Sequence, residues 1–157
     1  MATTLRSVSV ADTPGLARTM MGAWYGDPHW VTLWVHPPVM EELILASEGR
    51  LPWNLINAEK SKRHQKAVNT ATDEVVGYAR WDLPPVLAEK GGWEEAQLLV
   101  DDITSEKRVH IENKYKAVTE NGRIKGLDHA HMDFRNKPLV EADARINKNG
   151  PYLSEST

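Results

Sequence analysis

The sequence predicts an α+β domain: a small, mostly antiparallel sheet with helices packed on it. Two observations carry that class. Residues 65–81 contain two β-branched and aromatic runs separated by Asp73-Glu74, the pattern of a hairpin. Residues 13–25 carry apolar side chains at a four-residue spacing, the pattern of a helix that buries one face.

In chain order, Leu5 to Val10 alternates and predicts a short first strand. Asp12 or Thr13 then caps a helix. Pro14 falls early in it, where a missing N–H is harmless. Leu16, Met20 and Trp24 mark its apolar face to about Tyr25, and Gly26-Asp27-Pro28 breaks it. Trp30, Leu33 and Trp34 predict a short second helix that ends at Pro37-Pro38. Val39 to Glu48 reads as a third, capped by Gly49. The hairpin strands are expected at Gln65–Thr72 and Val75–Trp81. Gly77 suggests a bulge or a close backbone approach. A helix is expected from Trp93 to Ile103. Another runs from Thr104 or Ser105 to about Thr119, with Ile111, Tyr115 and Val118 as its stripe. Asn121-Gly122 and Gly126 end it. Asn136-Lys137-Pro138 opens a last short helix, closed by Asn149-Gly150-Pro151.

The 157 residues suit one domain, taken as 1–157. Apolar residues are 41% and charged residues 26%, the balance of a soluble globular chain. Lys plus Arg is 19 and Asp plus Glu is 22, a net charge of −3, which argues against a nucleic-acid partner. Cys is 0, which excludes disulfides, zinc fingers, iron–sulfur ligation and a catalytic thiol. No apolar run approaches the roughly 20 residues of a membrane span, and residues 1–6 lack a signal-peptide core. No membrane partner is expected, and a cytoplasmic location is. The six Trp against one Phe are a bias worth following. Trp24, Trp30, Trp34 and Trp53 are either core anchors or the walls of an aromatic pocket.

Leu5-Arg6-Ser7-Val8, with Ala11-Asp12 opening a helix, precedes Asp73-Glu74-Val75-Val76-Gly77-Tyr78-Ala79-Arg80-Trp81. Together with the order strand, helix, break, helix, hairpin, these residues resemble the GNAT superfamily of N-acyltransferases. The likeness is strongest to its fungal branch, whose members also carry a long helical insert after this strand. The resemblance implies a truncated GNAT-like fold that supplies the acceptor side of such an enzyme. The family's Arg/Gln-x-x-Gly-x-Gly/Ala segment, which holds the coenzyme A pyrophosphate at a helix N-terminus, has no counterpart here. Gly91-Gly92 leads into Trp93-Glu94-Glu95, whose carboxylates oppose a phosphate. No cofactor is therefore expected. The chain reads as a repurposed half, as one half of a split enzyme, or as a shortened sequence. A homodimer or a complementary chain is expected to cover the sheet.

Two constellations are candidates for chemistry. In Asp128-His129-Ala130-His131-Met132-Asp133-Phe134, a strand would put His129, His131 and Asp133 on one face. Two imidazoles and a carboxylate suit acid/base catalysis. Three ligands fall short of a metal centre, so no metal is expected. In a helix, residues two apart diverge and the cluster dissolves. The plain alternative is a polar strand face or a loop. The second constellation is a small-molecule site built from Trp24, Asp27, Trp30 and Trp34, walled by Tyr78, Arg80 and Trp81 of the hairpin. Its plain alternative is that Asp27-Pro28 simply makes a turn. His36, His64 and His110 show no partner in sequence. Three functions follow: a diverged GNAT-like protein with an aromatic acceptor pocket, a cofactor-independent isomerase, lyase or cyclase, or a non-catalytic binding module.

Overall fold

The computed structural model describes residues 2–58, 61–91, 93, 96, 103–147 and 154–155. β1 (Thr3–Ser7) stops before Val8. Val8 and Val10 turn into the core, and a 3-10 turn over Val10–Asp12 redirects the chain. Asp12 fixes that turn rather than capping the next helix. Its carboxylate accepts from the Ser9 backbone N–H at 2.7 Å and pairs with Lys66 at 2.5 Å. Burial works against the Asp12 charge, but hydrogen bonds from Lys66 and Ser9 prevail and hold its carboxyl below the usual value.

α1 (Thr13–Tyr25) follows the predicted bounds, with Pro14 in its first turn and Leu16 and Ala17 fully buried. α2 (Pro28–Val31) is one turn, shorter than its Trp and Leu spacing predicts. The next residues pair with a later segment instead. Asp128 N–H donates to the Leu33 carbonyl at 2.7 Å and Val35 N–H to Gly126 at 3.0 Å. Gly126 has φ +85°, and the Trp34 ring lies 3.5 Å from where its Cβ would be.

α3 (Met40–Ile56) runs past Gly49, where the sequence predicts a cap. Gly49 remains helical because α5 (Ser105–Val118) crosses there. A Cβ at Gly49 would meet Val118 Cγ1 at 3.2 Å, so a hydrogen admits the neighbouring helix. Pro52 lies inside α3 and removes one helical hydrogen bond. Burial of Leu51, Pro52 and Leu55 offsets that loss.

The hairpin is β2 (Lys62–Asn69) and β3 (Val75–Asp82), so the first strand lies three residues earlier than predicted. Asn69 sets the limit. Its side chain accepts from Ala71 N–H at 3.0 Å, and its backbone bonds Asp73 and Glu74. That closes the loop around Asp73, which has φ +58°. Ala67 faces Gly77 while Val68 faces Val75, so Val76 is an extra residue in β3. The bulge and the close approach foreseen at Gly77 both exist, since a Cβ there would lie 3.2 Å from Ala67. The sheet order is β1-β2-β3-β6, with β6 (Ser154–Glu155) beside Trp81 and Asp82, and every pairing is antiparallel.

α4 (Pro85–Glu89) follows the hairpin. The helix expected from Trp93 to Ile103 and the closing turn at Asn149-Gly150-Pro151 lie largely or wholly outside the described residues. α5 starts as foreseen, with the Thr104 hydroxyl accepting from Lys107 N–H. It ends in a miniature hairpin, β4 (Thr119–Glu120) and β5 (Arg123–Ile124). Asn121 and Gly122 both have positive φ, 51° and 78°, the two-residue turn that suits antiparallel strands.

α6 (His129–Asn147) overturns the strand reading of residues 128–134 and the short helix opening at Pro138, which lies in its interior. Asp128 Oδ1 accepts from His131 N–H at 2.9 Å, an N-terminal stop that favours the helix. Val8, Leu16, Ala17, Leu51 and Leu55 form the core where α1 and α3 meet the sheet, with Val75 and Tyr78 packed against it. No helix among the described residues is long and apolar enough to cross a membrane.

Candidate functional site

The chain leaves a cavity of about 750 Å³ between α1, α3, β3 and the start of α6. Its apolar wall is Met20, Met21 and Trp24 of α1, then Trp30, Leu33 and Trp34. Leu43 and Leu51 of α3, with Ile124, Leu127 and Met132, close the far side. Trp30 and Trp34 meet edge to face, with centroids 5.3 Å apart. Besides the neutral Thr19, Ser47, Asn54 and Asn136, the titratable lining is one-sided. It holds Arg50 of α3, Lys62 and His64 of β2, and Tyr78 and Arg80 of β3. It holds no Asp or Glu among the described residues.

His64 is 3% exposed, and its Nδ1 lies 2.8 Å from the Tyr78 hydroxyl. Burial lowers its pKa to about 4, helped by the positive charges of Arg80 and Lys62, so the ring is neutral near pH 7. Burial raises Tyr78 to about 12, so the phenol keeps its proton. His64 Nε2 is buried without a partner among the described residues. Two tautomers fit the 2.8 Å contact. If Nδ1 carried the proton, both the phenol proton and Nε2 would lack a partner. If the phenol donates to Nδ1, only the Nε2–H is left over. Polar satisfaction selects the second, which leaves a buried Nε2–H donor. Trp34 Nε1 is a second buried donor without a partner among the described residues.

Arg50 projects from α3 half-buried, and no carboxylate pairs with it among the described residues. Burial, assisted by Arg80, presses its pKa down. Lys62 is neutralised by Asp82, and Arg80 also has an interaction within the protein.

Five of the sequence-predicted pocket residues meet at this cavity: Trp24, Trp30, Trp34, Tyr78 and Arg80. Asp27 and Trp81 do not line it. Asp27 caps α2 by accepting from His29 N–H at 2.8 Å, the plain alternative for that turn. Trp81 packs on Trp93, with centroids 5.4 Å apart. Because α6 is a helix, His129 and Asp133, four apart, share a face and His131 leaves it. His129 Nε2 donates to the Ile124 carbonyl at 2.9 Å, and Asp133 takes Arg123 at 2.9 Å. His131 shares neither contact. Among the described residues no group of three or more His, Asp or Glu is placed to hold a metal ion.

Sequence reasoning missed Arg50 and His64. A signal for His64 existed. Counting back from the hairpin turn, with one residue of bulge, places it opposite Arg80. Arg50 gave none, because the expected cap at Gly49 put it beyond the helix.

No protein-family model, curated protein or solved structure matches this chain significantly.

Proposed function

We propose that this chain is a diverged GNAT-like small-molecule protein that holds an apolar ligand between its Trp faces. The observation that carries the reading is the cavity itself. At about 750 Å³ it falls in the size range of small-molecule sites. It is lined by rings together with a few fixed polar groups. The resemblance rests on the order strand, helix, break, helix, hairpin, and the chain runs β1, α1, α2, α3, β2, β3. In this reading the cavity is the acceptor side, and acyl transfer needs its donor held by a second chain.

Native mass spectrometry of the purified chain, with and without acetyl-coenzyme A, tests it. A co-purifying small mass that Trp34→Ala loses supports the pocket. A one-to-one coenzyme A adduct supports acyl transfer by this chain. The same spectrum tests the expected homodimer or complementary chain, and a bare monomer removes it.

The His64–Tyr78 pair favours a second reading, a cofactor-independent isomerase, lyase or cyclase. A neutral imidazole bonded to a protonated phenol is a proton-transfer pair at the cavity wall. Tyr78→Phe would then abolish turnover of a bound substrate while binding persists. Unchanged turnover would remove this reading.

A further inference from the structure

The cavity's charged lining has one sign, and it specifies the ligand more narrowly than shape does. Trp34 Nε1 and His64 Nε2 are buried with no protein acceptor among the described residues. An indole N–H is a donor only, and the phenol bond to Nδ1 makes Nε2–H a donor as well. Arg50 adds a guanidinium with no carboxylate partner among the described residues. No Asp or Glu lines the cavity there.

Building on the cavity reading above, we infer that the ligand is an apolar acid, its hydrocarbon part against the Trp wall and its carboxylate held by Arg50. A planar carboxylate accepts two parallel hydrogen bonds from a guanidinium. An ammonium ligand meets the opposite situation. It would sit beside Arg50 with no lining carboxylate among the described residues to neutralise it.

The test is calorimetric titration of the full chain with 4-phenylbutanoate, 4-phenylbutanamide and 4-phenylbutylamine. These share one apolar body and differ in the head. The acid is expected to bind about tenfold more tightly than the amide, and the amine most weakly. Added salt should narrow the acid's advantage. Arg50→Gln should cut the acid-to-amide ratio to about threefold or less, and Arg50→Lys should fall between, since an ammonium keeps the charge and loses the two parallel hydrogen bonds. An amide as tight as the acid, or an amine tightest of the three, overturns the inference and leaves the cavity reading standing. Binding of none of them at millimolar concentration overturns both. The wild-type comparison and its salt dependence decide the matter even where Arg50→Gln fails to fold.

Discussion

His64 is held neutral because burial, with the positive charges of Arg80 and Lys62, outweighs the nearby carboxylate of Asp82. Its ordinary pKa is 6.5, and burial takes it to about 4 in the folded chain. Above pH 6.5 both folded and unfolded chains carry it neutral, and it adds no pH dependence. Between pH 6.5 and pH 4 the unfolded chain takes a proton that the folded chain refuses, so stability falls as pH falls. Below about pH 4 both states are protonated and the loss stops growing, at on the order of 3 kcal/mol. Urea unfolding from pH 7 to pH 4 should show that slope, and His64→Asn should flatten it. A variant that parallels the wild type across the window would contradict the burial described here. The sequence did not disclose this residue's role. A histidine's burial depends on strand register, and β2 begins three residues before its β-branched run suggests.

Among the elements, α1, the hairpin and α5 were legible because each is marked by its own residues. Periodicity, a Pro in the first turn and a Thr cap are local signals. The elements that departed are those decided by partners distant in sequence. α3 passes Gly49 because α5 lies across it, and no reading of residues 39–49 alone contains Val118. Gly49→Val should therefore wedge the two helices apart and cost about 1–3 kcal/mol, although valine is the better helix former. Equilibrium urea denaturation measures it, and an unchanged midpoint would mean that the helices yield. α6 shows the same lesson differently. The alternation of His129, His131 and Asp133 suits a strand, yet the Asp128 stop and the β4–β5 hairpin deliver the chain as a helix. Two of the three residues then serve to anchor that hairpin.

For the whole molecule, the α+β class and five of the seven pocket residues followed from sequence, since aromatic residues near a hairpin have few ways to be buried. The cavity's one-sided charge did not, because it arises where α3, β2 and β3 converge. The bulge at Val76 sets that convergence. A regular strand alternates strictly, so Val75 and Tyr78, three apart, would face opposite ways. The extra residue lets both face the helices, and both pack on the core. β3 is therefore written in two reading frames joined at Val76. Deleting Val76 should merge them with Tyr78 and Arg80 still facing the cavity, so that ligand titration and circular dichroism stay near wild type. Deleting Ala79 should exchange Arg80 for Trp81 at the wall and abolish binding. The molecule is thus tolerant of a lost residue at one position of β3 and intolerant three positions later, an asymmetry of indels rather than of substitutions.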